Sequence, residues 1–179
     1  ITAEVPVDAF LKTWHMPSRM DPRYYPVDLI TDILGSGASS RLYQSLVKEQ
    51  QLFTNVDCYH FGSSDAGLLC IDGKLVKGVA PEKAEAAVME QLQKLQQEGV
   101  TVAELEKVKN KTESTMAFED MTVMNRAASL AYYELLGDAN LMNTELEQYF
   151  AVTADDILQE SRKIFEETNS HTLYYRAKG

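Results

Sequence analysis

No run of apolar residues in this 179-residue chain approaches the ~18 that a membrane-spanning helix needs. Positive charge is also scarce. Seventeen Lys and Arg (17) stand against 27 Asp and Glu, for a formal net charge of −10 and a pI near 4.8. Such a surface repels a phosphate backbone, so nucleic acid is not an expected partner, and it gives no attraction to anionic lipid. Cysteine occurs twice, at Cys58 and Cys70, too sparsely for a disulfide scaffold. The two lie on neighbouring expected strands. A bridge is geometrically open to them, two buried free thiols are the plainer reading, and neither fixes a redox compartment. The three histidines, His15, His60 and His171, are far apart. No His-x-x-x-His, His-x-x-Glu-His or His-Glu-x-x-His spacing is present, and a helical zinc motif needs two ligands on one face. We therefore expect no metal site, no catalytic residue and no cofactor within this chain.

What is present is ordinary for a globular domain: 45% hydrophobic and 25% charged residues. At this length about 70% of the unfolded surface can be buried without staples. Residues 1–179 read as one domain. The chain opens at Ile1 without Met or an apolar leader, and strand-like alternation starts almost at once. We read it as a fragment of a longer multi-domain protein, with any localisation signal outside the sequence given, so the compartment is left open.

The periodicity predicts a strand over residues 5–16, with Val5, Val7, Ala9, Leu11 and Thr13 on one face and Phe10, Lys12 and Trp14 on the other. Asp21-Pro22 opens a helix that buries Val27, Ile30, Ile33 and Leu34 and is capped by Gly35. A small-residue loop, Ser36-Gly37-Ala38-Ser39-Ser40, leads to a second helix, capped by Ser39 or Ser40 and ending near Gln50. Strands over 52–61 and 66–75 flank a Gly62-Ser63-Ser64-Asp65 turn and should form an antiparallel hairpin. Pro81 opens a helix that Gly99 stops. Thr101 and Glu104 form a capping box before a long helical stretch to about Leu136, bent near residues 118–122. A short helix over 144–150, a helix capped by Thr153 and a closing strand over 172–176 complete the order. Parallel βαβ repeats are missing, so the expected class is α+β, with a mainly antiparallel sheet and helices on one face.

Candidate chemistry is thin. Gly35-Ser36-Gly37-Ala38-Ser39 fails as a nucleophile elbow, because Ser39 stands where the second Gly belongs and a helix, not a strand, precedes it. Without a following Gly-Lys-Ser/Thr it is no phosphate loop either. Small residues there let two helices meet in a tight corner. The pairs Glu119-Asp120, Asp155-Asp156 and Glu166-Glu167 point about 100° apart on a helix and do not converge. They read as solvated helix ends, as do Glu145 and Glu147, with Asp155 and Asp156 favoured by the helix dipole. Tyr24-Tyr25 and Tyr132-Tyr133 could line a peptide groove, but packing is the simpler role for Tyr132.

One resemblance covers nearly the whole chain. It rests on Ile33-Leu34-Gly35 before Ser39-Ser40-Arg41-Leu42-Tyr43, on Leu46 and Lys48-Glu49 before the strand at Leu52, and on Gly99-Val100-Thr101 with Glu104-Leu105-Glu106-Lys107-Val108-Lys109. Val152-Thr153-Ala154-Asp155-Asp156-Ile157 completes it. In this order and spacing the pieces resemble the repeated α+β domains of the pitrilysin/insulinase zinc peptidases, which include proteins like the mitochondrial processing peptidase. In that family a zinc-bearing domain carries His-x-x-Glu-His and a distant Glu, and the motif Glu activates water for attack on a peptide bond.

Since this chain lacks the motif, the resemblance implies a later, non-catalytic domain that closes a chamber over peptide substrate. Zinc is then expected in the parent protein or a partner subunit. Many such domains supply a substrate-touching Arg and, seven positions later, a Tyr. The matching positions here are Val47 and Thr54, which lack the needed donor and reach; Arg41 and Tyr43 belong to the structural Ser-Arg-Leu-Tyr and do not replace them. The expected partners are other domains of the same peptidase or a partner subunit. The alternatives are a non-peptidase assembly subunit of the same fold, the partner of a catalytic chain, or an acidic binding module with no enzymatic role.

Overall fold

A computed structural model describes residues 1–119 and 121–178. Alternation places Phe10, Trp14 and Met16 of strand β2 (Ala9–Met16) on one buried face, and Leu69, Ile71 and Leu75 of β4 (Gly67–Leu75) beside them. β3 (Phe53–Phe61) and β4 form the expected antiparallel hairpin, β2 pairs antiparallel with β4, and β5 (Ser170–Ala177) pairs antiparallel with β2. A two-residue strand β1 (Thr2–Ala3) adds a parallel rung to β5, giving the order β1-β5-β2-β4-β3. The chain is α+β, with a four-stranded antiparallel body.

The helices cover one face of this sheet. Helix α1 (Tyr24–Gly35) buries Val27, Ile30, Ile33 and Leu34, while α2 (Pro81–Glu98) contributes Ala84, Val88, Leu92 and Leu95. Helix α6 (Ala154–Ile164) contributes Ile157 and Ile164, and Trp14 meets Phe165 edge-on at 5.1 Å. Each fully buried aliphatic side chain contributes about 1.5–3 kcal/mol of transfer free energy. The opposite sheet face carries Leu11, Leu68, Tyr59, Phe61 and the cross-strand pair Asp57–Asp72. Register settles the cysteines: Cys58 stands opposite Ile71 and Cys70 opposite Tyr59, so the two side chains leave opposite faces of the sheet. Both thiols are free and buried.

Several boundaries differ from the sequence reading, each for a local reason. β2 starts at Ala9, since Pro6 has no N–H to donate and the Asp8 carboxylate instead accepts the Ala177 N–H at 2.7 Å. α1 starts at Tyr24, because Asp21 folds the chain into a turn, accepting from Arg23 N–H at 2.9 Å and pairing with its guanidinium at 2.6 Å. Gly35 is no left-handed cap. It is the last residue of α1, and a Cβ there would lie 2.2 Å from the Cys58 backbone N. The glycine is required by the approach of α1 to β3.

Ser39 and Ser40 do not cap the second helix; Ser40 is fully buried with an unpartnered hydroxyl, and residues Tyr43–Glu49 wind as a π-helix. The long helix breaks rather than bends. α3 (Val102–Glu119) ends, and Thr122 caps α4 (Val123–Leu135) by accepting from Asn125 N–H at 3.1 Å. Gly137, at φ 102°, ends α4, and α5 spans Leu141–Ala151. The capping box at Thr101/Glu104 and the cap at Thr153 form as expected, and Asp156 reaches back to make the latter a reciprocal box as well.

Candidate functional site

The corner between α1 and the π-helix is held from outside by cations. Lys111 of α3 donates to Ser36 Oγ at 2.6 Å and to Asp32 at 2.7 Å, and Lys107 donates to Ser39 Oγ at 3.1 Å. Arg41 donates to Gly99 O at 2.8 Å and to both Glu104 oxygens at 2.7 and 3.0 Å. That fork holds the Glu104 carboxyl down at about 2, well under its ordinary 4.5. The corner's serines and glycine therefore serve geometry.

The exit from this corner is irregular three times in succession. Gln50 N–H reaches back five residues to Ser45 O at 2.9 Å, Gln51 sits at φ 52°, and β3 carries a bulge between Phe53 and Asn55. Val47 lies on the π-helix, partly buried against the core. Thr54 is exposed at the bulge, its hydroxyl spent on Lys74 O at 3.1 Å. Neither residue offers a free donor that could grip a carbonyl.

A second polar cluster gathers at the other end of α1. Asp28 accepts from Tyr149 Oη at 2.6 Å and contacts His60 Nε2 at 2.8 Å. Burial pushes the Asp28 carboxyl up, but the hydrogen bonds from His60 and Tyr149 outweigh it, and the acid stays below its usual range. Burial first, then the Asp28 charge, drives the Tyr149 and Tyr24 phenols well up. Arg19 lies 4.4 Å over the Tyr24 ring and pairs with Glu145, which also accepts from Tyr133. Glu145 is only 3% exposed, so its expected place on a solvated helix end is wrong. Its i, i+4 spacing from Tyr149 on α5 is the signal that could have shown it facing inward. Tyr24 is buried and Tyr25 half-buried, edge-on to Tyr149 at 5.0 Å, whereas Tyr132 is exposed rather than packed in a core.

With the two clusters placed, relatives can be compared. A family model described as the peptidase M16 inactive domain matches residues 2–112. The chain belongs to this family, the inactive domains of the pitrilysin/insulinase (M16) peptidases. An uncharacterized zinc protease of Bacillus subtilis is 25% identical over 146 residues, covering 81% of this chain and 36% of that protein. A crystal structure of a protease from Helicobacter pylori superposes with a TM-score of 0.91 at 19% identity, over 98% of this chain and 43% of that one. A peptidase M16 inactive domain from Pseudomonas fluorescens gives 0.80 at 16% identity, over 100% and 43%. At these identities the structures speak for the fold alone. The chain spans well under half the length of these relatives.

As an M16 inactive domain, the chain is a non-catalytic unit of its family, and its histidines do not make a zinc centre. His15 and His171 stand on the open sheet face at the diagonal positions of β2 and β5, whereas His60 points to the helix side and is engaged by Asp28. Among the described residues no group of three or more His, Cys, Asp or Glu converges to hold a metal ion. This donor set does not fit zinc. The carboxylate pairs do not converge either. Asp156 closes a capping box and Asp155 accepts from Gln159 at 2.5 Å, while Glu147, Glu166 and Glu167 are exposed. Asp120 of the Glu119-Asp120 pair lies outside the described residues. No helix among those residues is long and apolar enough to cross a membrane.

Proposed function

We propose that this M16 inactive domain encloses peptide substrate in a zinc-dependent peptidase whose metal site lies outside this chain. The observation that carries the reading is the match of residues 2–112 to an inactive domain in a chain that spans 36% of a zinc protease. Zinc held by a His-x-x-Glu-His elsewhere in the parent, or in a partner subunit, would supply the water that attacks the peptide carbonyl. Residues 1–179 would act as one domain of that parent. Its part is steric: a rigid wall that shuts the substrate away from bulk water.

The occupancy of the clamp positions favours one second reading. With Val47 and Thr54 in place of an Arg and a Tyr, that reading has a partner subunit or another domain supply the clamp, or makes the parent a scaffold without peptidase activity. Incubating the purified chain with unstructured peptides and zinc is expected to give no chelator-sensitive cleavage. The same assay on the full-length parent should give cleavage that a chelator abolishes. Turnover by the isolated domain would overturn the non-catalytic reading. A full-length parent inert to peptides with zinc bound would favour the scaffold.

A further inference from the structure

A helix on the surface of a folded domain normally turns its apolar stripe inward. Helix α4 does the reverse. Ser129 and Tyr133, with Leu136 just past the helix end, are spaced i, i+4, i+7 and face the domain, and the Tyr133 phenol donates to Glu145. The other side of the helix carries Met124, Ala128, Ala131 and Leu135, all exposed, with Val123 and Leu130 beside them. The two charged residues of α4, Arg126 and Glu134, fall outside that stripe.

The stripe has a pattern that names its own partner. Its successive spacings are 4, 3 and 4 residues, the a/d spacing of a helix–helix seam, and its side chains run long, small, small, long. Both sequences read the same from either end, so the stripe is complementary to an antiparallel copy of itself. In that pairing Met124 meets the partner's Leu135 and Ala128 meets the partner's Ala131. The small pairs at the centre let the backbones approach to roughly 8 Å, the near limit of helix packing. Glu134 and the partner's Glu134 are carried to opposite ends of the seam, so no like charges face each other across it. Elsewhere two copies repel, since each has a formal net charge of −10, and an uncharged stripe is where such surfaces can meet. Area is sufficient for a weak contact. Large apolar side chains carry on the order of 100–200 Å² each. Val123, Met124, Leu130 and Leu135, with exposed Phe118 and Met121 just before α4, therefore offer several hundred Å², approaching the ~800 Å² that each partner of a stable interface buries.

We propose that two copies of this chain pair through α4, antiparallel about the midpoint between Ala128 and Ala131. The dimer is weak, with a dissociation constant of about 10–100 µM, because the remaining acidic surfaces oppose it. On dilution it parts and leaves α4 bare. The assignment does not depend on the enclosing role, because the pattern belongs to this chain's own helix.

The test is sedimentation equilibrium of the purified chain, which folds round one continuous core, from about 5 to about 500 µM and at low and high salt. A reversible monomer–dimer equilibrium is expected, tightened by salt as the repulsion between copies is screened. Ala131→Glu sets a carboxylate against the partner's Ala128 and should weaken the dimer by about tenfold or more. Val102→Glu, at an exposed apolar position at the start of α3, should leave it unchanged. Both positions are exposed, so the variants should keep the wild-type melting temperature. Amides of α4 should gain protection from hydrogen exchange as concentration rises, while those of α2 stay constant. The proposal falls if the dimer survives Ala131→Glu, or if Val102→Glu weakens it equally. It falls too if the chain stays monomeric at the highest concentration, which would assign the stripe to another part of the parent.

Discussion

At the scale of single residues, charge and close approach decide more than propensity. Glu104 shows the first. Its folded pKa lies below the unfolded value, so its stabilisation is complete above about pH 4.5 and is lost as pH falls toward about 2. Allowing for partial exposure, Glu104→Gln should remove on the order of 1–2 kcal/mol at neutral pH and flatten the acid limb of a urea-denaturation series. An unchanged acid limb would show that the Arg41 fork contributes nothing net. Gly35 shows the second. Helix propensity alone favours Ala there by about 1 kcal/mol. The overlap with the Cys58 backbone should win, making Gly35→Ala destabilising by about 2–4 kcal/mol in thermal unfolding. The sequence displayed neither partner. Caps are local in sequence, so the Thr101/Glu104 box and the Thr153 cap were readable. The Arg41–Glu104 and Arg19–Glu145 pairs span 63 and 126 residues, and nothing in the local pattern brings them together.

At the scale of elements, the strong periodicities were legible and the irregular segments were not. α1, α2, α6 and the β3–β4 hairpin follow directly from apolar spacing and from Pro and Gly punctuation. The π-helix at Tyr43–Glu49 keeps a helical pattern in its letters, so an extra residue per turn leaves no mark that spacing reveals. Lys12 reads as a polar strand position but belongs to the buried row, where it reaches Glu85 and Thr172, each at 2.8 Å. α4 is the α-helix with no buried residue, and its Val123 and Met124 are 86% and 77% exposed. Its amides should therefore exchange with deuterium orders of magnitude faster than those of α1, whose opening approaches global unfolding. Equal protection of the two helices would mean that α4 is covered in solution.

At the scale of the whole molecule, one continuous core joins a single helical layer to a single sheet. That architecture was legible because strand and helix periods, read in order, admit few layerings. The uneven finish of the two sheet faces was not, because it depends on which side the helices take. The two thiols turn this into an instrument already installed. Cys58 lies under α1, against Gly35, and Cys70 lies on the bare side. Burial raises both thiols, so neither should alkylate quickly while the fold is shut. Mass spectrometry of iodoacetamide-treated protein would then keep two clocks. Modification at Cys58 times the lifting of the helical layer, and modification at Cys70 times the loosening of β4 from its neighbours β2 and β3. A neighbour settling on the bare face would stop one clock and leave the other running.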